Sequence, residues 1–265
     1  MRDNVLQKNT AMAEATSDSA RVPPYSGMFS AIVPCRDERE ALPIFYAEFL
    51  RAMDSAGAEN FEIIFVEDGS KDGTLEYLRE LAAKDSRVKY ISLSRNFGKE
   101  AAMYAGLRAA CGDIAAIMDA DLQDPPSLLP QMFMEMRVGG YDSVATRRRT
   151  RRGESHVRSF CARAFYRVLN SLSSLKFVEG ARDFRLINRR VIDSVLEMPE
   201  YNRFIKGMYE WVGFKTKWFD YENIERVAGT TKWNFWGLFK YSIEGIVGFS
   251  TTPLLMAAGV GVLFC

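Results

Sequence analysis

The chain has 265 residues, 48% of them hydrophobic and 26% charged, the composition of a folded protein with enough length for one large domain or two small ones. Its 35 Lys and Arg against 34 Asp and Glu leave a net charge of +1, which argues against bulk nucleic-acid binding. Four widely spaced cysteines, Cys35, Cys111, Cys161 and Cys265, form no C-x-x-C pair and argue against zinc or a disulfide framework, so a reducing compartment is expected.

Residues 1–27 are polar and rich in small side chains, lack the apolar core of a secretory signal, and predict a disordered tail. Four apolar, β-branched runs follow at Phe29–Val33, Phe61–Val66, Val88–Leu93 and Ile114–Met118 and predict strands. Between and after them, Arg39–Ala56, Thr74–Lys84, Lys99–Cys111 and Ser127–Val138 carry apolar residues at mixed i+3 and i+4 spacing, as in Leu75, Leu78 and Leu81, and predict helices. This alternation predicts an α/β fold with a parallel sheet and crossover helices, whose strands finish at one ligand-binding edge. Acids recur at that edge: Asp37 and Glu38 after the first strand, Glu67 and Asp68 after the second, Asp119 and Asp121 after the fourth.

The stretch Asp119 to Pro126 is the most informative. In an extended chain Asp119 and Asp121 point to one side, and a turn could also bring them together. Their repulsion calls for a counter-charge, and a hard cation such as Mg²⁺ or Mn²⁺ takes oxygen ligands while leaving positions for water and phosphates. Gln123 adds a neutral oxygen, and Pro125 and Pro126 stop the strand ladder. Asp-x-Asp also arises by chance in ordinary loops, so the spacing alone leaves both readings open. Glu67 to Ser70, with Asp72 and Thr74, reads as a turn into a capped helix in which Gly69 lets the backbone bend. Arg95 to Lys99 leads directly into a helix, whose N-terminus attracts anions. The Gly-rich fingerprints of dinucleotide and P-loop enzymes are absent, which counts against a nicotinamide oxidoreductase or a nucleoside triphosphatase.

Further on, Arg147, Arg148, Arg149, Arg151 and Arg152 form a basic run that suits either a solvated loop or an anionic partner. Trp233 to Ile243 alternates aromatic and apolar residues with Lys232 and Lys240, the pattern of an interfacial amphipathic stretch or of a packed aromatic helix. From Gly245 to Cys265 there is no charge, about the length needed to cross a bilayer. Pro253 breaks or starts a helix there, leaving a buried core helix and the start of a transmembrane helix as the two expectations.

Taken together, Ile32-Val33-Pro34, Glu67 to Thr74, Ser94 to Lys99, Asp119 to Gln123, Gly180 to Ile187, Arg203-Phe204, Trp211 to Phe214 and Ala228 to Trp233 resemble family 2 glycosyltransferases of the GT-A fold. They are most similar to the polyprenyl-phosphate branch, which includes dolichol-phosphate mannose synthases and bacterial undecaprenyl-phosphate glucosyltransferases. The resemblance runs from about Phe29 to Pro253. It implies a GT-A nucleotide-sugar-binding domain with a mostly parallel central sheet over 28–225. An interfacial amphipathic segment would follow over 226–248, and the beginning of a transmembrane region over 249–265.

By this resemblance Asp119, Asp121 and Gln123 gather Mg²⁺ or Mn²⁺ and the donor diphosphate, with Asp121 also counted as catalytic. Pro34, Glu38 and Asp68 match nucleoside-holding positions. Arg147 and Arg158 match residues that receive a lipid phosphate, Arg226 approaches phosphate as well, and Asp183 lies near sugar and acceptor. A salt bridge from Asp183 to Arg182 or Arg185 is the competing structural account. Arg36 and Asp37 depart from the aromatic-Asn pair usual before the family's Glu, and Glu67 replaces the usual Asp. The implied activity is inverting transfer of a sugar, best matched by glucose from UDP-glucose, to polyprenyl phosphate at the cytoplasmic membrane face, by a monomer or a homo-oligomer. The alternatives are a family 2 transferase acting on a sugar hydroxyl and a non-catalytic nucleotide-sugar-binding membrane subunit.

Overall fold

A computed structural model describes residues 25–148, 167, 170–171, 175–221 and 245–264. The first half of the chain builds four parallel strands, β1 (Phe29–Cys35), β2 (Phe61–Glu67), β3 (Val88–Ser92) and β4 (Ile114–Ile117). They are joined by helices α1 (Leu42–Ala56), α2 (Thr74–Lys84) and α3 (Lys99–Ala109). All seven residues of β2 are buried, and only Pro34 of β1 is not, as expected for strands covered by helices on both faces. These elements lie where the hydrophobic pattern puts them. Helix α1 starts at Leu42 and not at Arg39, because Pro43 has no N–H to donate and is tolerated only in a first turn.

The second half is less regular. A single 3-10 turn (Pro126–Leu128) leads into α4 (Leu129–Val138), followed by β5 (Ser143–Arg148), β6 (Ala181–Asn188), α5 (Arg189–Leu196), α6 (Ile205–Val212), β7 (Thr216–Tyr221) and α7 (Thr252–Phe264). The sheet order is β3-β2-β1-β4-β6-β5-β7. β6 runs antiparallel to both β4 and β5, while β7 is parallel to β5, so the sheet is mostly parallel with one inverted strand, the fifth of seven. Arg147 and Arg148 are strand residues of β5, which corrects the loop expectation for that part of the basic run.

Two apolar layers sandwich the sheet. On one face α1, α2 and α4 pack with Phe29, Phe45, Phe49, Phe65 and Phe133; on the other α3, α5 and α6 pack with Ile32, Ile64, Met103, Val191 and Met208. α3 lies close to the sheet because a side chain at Gly106 would collide with Ile32. That close seating brings the first residue of α3, Lys99, to the carboxyl edge of the strands. Beneath the sheet Glu62 is a buried acid: burial alone would raise it, but bonds from Lys89 (2.6 Å), Ser30 (2.6 Å) and the Cys111 N–H (2.7 Å) hold it below the usual carboxylate range.

The Tyr25 ring stacks on Phe133 at 5.2 Å and is buried, so the packed domain takes in residues ahead of the boundary at 28. Most of 226–248 lies outside the described residues. Phe249 packs with Phe177 and Phe204 at 6.2 Å each, tying the chain just beyond that segment to the domain. α7 has 13 residues and no charge. Among the described residues no helix is long and apolar enough to cross a membrane.

Candidate active site

The ladder of β4 ends at Ile117, with one further bond from the Met118 N–H to Ile32 O at 2.9 Å. The chain then turns, and Leu122 takes the left-handed conformation at φ 58° with its side chain buried in the core. Such a conformation costs a non-glycine residue about 1–2 kcal/mol. Burial of Leu122 and a bond from the Gln123 N–H to Asp121 Oδ1 at 3.1 Å help to hold it. Asp119, Asp121 and Gln123 therefore belong to a turn, not to an extended strand.

The inverted strand supplies the opposite wall. Ile117 pairs with Arg185 across the antiparallel ladder, and this register carried two residues onward sets Asp119 across from Asp183. Lys99 stands between the two acids. Its Nζ lies 2.6 Å and 2.8 Å from the two Asp119 oxygens and also bonds Asp183 Oδ2. Asp183 Oδ1 lies 3.3 Å from Lys206 Nζ on α6. Burial would lower Lys99, but Asp119 and Asp183 outweigh it and raise its pKa. Burial would likewise raise Asp183, but Lys206 and Lys99 hold it far below the ordinary carboxylate range.

Strand alternation separates this group from a second one. Along β6, Phe184 and Leu186 enter the α1 layer and Ile187 enters the α3 layer, so Arg182 and Asp183 face opposite ways. This corrects the salt-bridge expectation: Asp183 pairs with the two lysines, not with Arg182 or Arg185. Arg182 Nε instead donates to both oxygens of the fully buried Asp124, at 3.0 Å and 3.1 Å, and its Nη2 reaches Gln123 Oε1 at 3.4 Å. The Tyr221 hydroxyl bonds the same carboxylate. Burial raises Tyr221 and the Asp124 charge raises it further. Arg185 is 3% exposed, with Glu210 at 3.4 Å and its guanidinium over the Tyr209 ring at 4.4 Å.

Asp68 shows how the ends of β2 and α3 are joined. Its two oxygens accept the N–H groups of Phe97 (2.6 Å) and Gly98 (2.9 Å), so it pins the loop that aims Lys99. Gly69, at φ 71°, permits this contact, since a Cβ there would stand 2.6 Å from the Asn96 nitrogen. The structure thus gives Asp68 a backbone-holding role beside the nucleoside role the resemblance implies. Pro34 sits opposite Val66 near the end of β1, and the Glu38 N–H donates to Thr74 Oγ1 at 3.0 Å.

Of the arginines expected on the acceptor side, Arg147 makes a two-pronged pair with Asp220 at 2.6 Å and 2.9 Å on the β5–β7 side. Arg158 and Arg226 lie outside the described residues, as do Arg149, Arg151 and Arg152. The site residues that sequence reasoning missed are Lys206, Asp124 and Tyr221, along with the bridging role of Lys99. One signal for Lys99 was available: a lysine opening a helix opposes the helix dipole unless acids face it.

Asp119, Asp121 and Gln123 offer only hard oxygen donors, which fits Mg²⁺ or Mn²⁺ held by one or two carboxylates and completed by phosphate and water. Among the described residues no three His, Cys, Asp or Glu side chains form a ready cage. The ammonium of Lys99 lies against both oxygens of Asp119, so a cation is already part of this site.

An open α/β sheet with facing aspartates at the carboxyl edge of its parallel strands is the form of a ligand-binding α/β domain. Residues 30–196 match the model of Glycosyl transferase family 2. The chain belongs to that family and is a glycosyltransferase. It is 40% identical over 234 residues to the prophage bactoprenol glucosyl transferase homolog of Escherichia coli (strain K12), covering 88% of this chain and 76% of the relative. It is 39% identical over 232 residues to the bactoprenol glucosyl transferase of Shigella phage SfX, covering 88% and 75%. Among solved structures, glucosyl-3-phosphoglycerate synthase from Mycobacterium tuberculosis, in complex with Mg²⁺ and uridine diphosphate, superposes with a TM-score of 0.57 at 18% identity, covering 86% of this chain and 83% of that one. The last likeness concerns the fold, which is GT-A.

Proposed function

We propose that the chain is a metal-dependent, inverting transferase that moves glucose from UDP-glucose to the phosphate of a polyprenyl lipid at the cytoplasmic face of a membrane. The observation that carries this reading is the meeting of Asp119 and Asp183 across β4 and β6 with Lys99 between them. It provides a donor-side carboxylate, an acceptor-side carboxylate and a cation within one hydrogen-bonded group. The lipid acceptor is supported by the relatives named for bactoprenol glucosyl transfer. UDP and a divalent ion are supported by the solved transferase of the same fold. A membrane setting is supported by α7, whose Leu254, Leu255, Val262, Leu263 and Phe264 are all exposed.

The chemistry fits the charges. A phosphate monoester is already ionised near neutral pH, so the attacking oxygen needs no strong base. It forms a bond to the anomeric carbon as the bond from that carbon to the diphosphate breaks, and UDP leaves with the electron pair. Asp183, held ionised by two lysines, is a weak proton acceptor and is suited to orienting sugar or acceptor. Transfer to a sugar hydroxyl would need a base, which Asp183 as held here does not supply. Asp119, Asp121 and Gln123 would hold Mg²⁺ or Mn²⁺, which when bound neutralises charge on the leaving diphosphate. Lys99 and Arg182 supply positive potential from the protein itself.

The test offers the full chain a panel of radiolabelled UDP- and GDP-sugars with undecaprenyl phosphate and identifies the lipid product. Lipid-linked glucose from UDP-glucose is expected, lost in EDTA and restored by Mg²⁺ or Mn²⁺. A preference for GDP-mannose would overturn the donor, undiminished turnover in EDTA the metal, and transfer to sugar hydroxyls alone the acceptor.

A further inference from the structure

Each oxygen of Asp183 meets a different lysine, and the two lysines come from different helices. Oδ2 accepts from Lys99 at the start of α3, which also grips Asp119; Oδ1 faces Lys206 on α6 at 3.3 Å. Lys206 also donates to Ala181 O at 3.0 Å, and the neighbouring Ile205 N–H donates to Glu100 Oε2 at 2.9 Å. The first turn of α6 is thereby tied to β6 and to α3 at once. A plain staple between α6 and β6 would need only the Ala181 bond. Placing the same ammonium against a carboxylate that is itself largely buried does something more.

Lys99 carries one charge and serves two carboxylates. A donor diphosphate brings at least two negative charges to the Asp119 side, and an ammonium on a flexible stem is drawn toward them. Asp183 would then lose its closest cation in a partly buried site, where an uncompensated charge is costly. Lys206 approaches the other oxygen and comes from a different helix. We infer that Lys206 is a positioning residue for transfer, holding Asp183 as an oriented carboxylate while Lys99 changes partners from Asp183 to the donor diphosphate.

This role rests on the reaction proposed above, and two measurements keep the two apart. The first needs no substrate: unfolding midpoints of Lys206→Met, Asp183→Asn and the double variant form a cycle. Non-additive midpoints are expected, and additive ones overturn the pairing whether or not the chain glycosylates a lipid. The second measures kcat and KM with UDP-glucose and undecaprenyl phosphate. Lys206→Met is expected to lower kcat about tenfold with the UDP-glucose KM within twofold of the parent, and Lys206→Arg to recover most of the loss. A kcat loss under threefold in Lys206→Met, a loss shared equally by Lys206→Arg, or a loss residing in the donor KM would overturn the positioning role. Failure of the unmodified chain to transfer glucose would count against the acceptor and donor assignment and leave the cycle to judge Lys206.

Discussion

The two faces of β6 at its first residues carry opposite kinds of ionic group. On one, Arg182, Asp124 and Tyr221 form a clamp around a carboxylate with no exposure, tying the Asp119–Gln123 turn to β6 and β7. On the other, Lys99, Asp119, Asp183 and Lys206 form an alternating row whose side chains keep between 17% and 31% exposure. The buried clamp cannot exchange partners without stranding a charge. The open row can, because water and an incoming ligand can reach its members. The difference separates a group that holds a site in place from one that changes state within it, although their β6 members, Arg182 and Asp183, are neighbours in the chain.

Breaking the clamp should have the largest effect on stability. Asp124→Ala removes the fully buried carboxylate that Arg182 and Tyr221 both bond and leaves the Arg182 guanidinium, 21% exposed, without its ion partner, a loss on the order of 3 kcal/mol, the lower end of the cost of stranding one partner of a buried pair. Chemical denaturation should read this directly, with a large shift in midpoint. Breaking the row should instead strike activity. Asp183→Asn and Asp119→Asn are expected to lower kcat on the order of 100-fold, the scale of losing one preorganised charge at a reacting centre, with midpoints moving far less than for Asp124→Ala. If either variant lost folded protein as readily as the Asp124 variant, the contrast between the two groups would collapse.

Acidity sharpens the same contrast by a smaller amount. Lys206 and Lys99 depress the Asp183 pKa against the opposing effect of burial, so its folded value lies below its unfolded value near 4. The stabilisation it contributes is therefore fully present above about pH 4 and is lost as pH falls toward the folded value. Midpoints measured from pH 6 down to pH 2.5 should fall less steeply for Asp183→Asn than for the parent; parallel curves would contradict the lysine pairing. The smallest expected change is Tyr221→Phe, which removes one hydroxyl bond to Asp124 while Arg182 remains, about 1 kcal/mol by the usual worth of such a bond.

The parallel half of the sheet was legible because its strands are buried on both sides. Phe61–Val66 reads as an apolar run broken only by Glu62, and α2 lies at the predicted Thr74–Lys84. β6 was read only as a motif. Its sequence Ala-Arg-Asp-Phe-Arg-Leu-Ile-Asn mixes three charges into a strand, since its first residues line the site and only its later ones are in the core. The aspartates were legible as well, as acids following strand runs. Their neighbours were not: Arg182 next to Asp183 looked like its partner, and only the two-residue period of the strand sends them to opposite faces.

By its own order of residues, the chain determined that an α/β sheet would form, that acids would gather at the ends of its parallel strands, and that Asp119, Asp121 and Gln123 would lie close together just past the fourth strand. Those properties are local: they follow from hydrophobic period, turn residues and spacing. Tertiary structure alone decided that β6 would enter antiparallel beside β4, bringing Asp183 to Asp119 from 64 residues away in the chain. It also brought Lys99 and Lys206, from two different helices, to the same carboxylate. Ionic partners of this kind are chosen by which elements pack together, because charge attracts through space and carries no preference for neighbours along the chain.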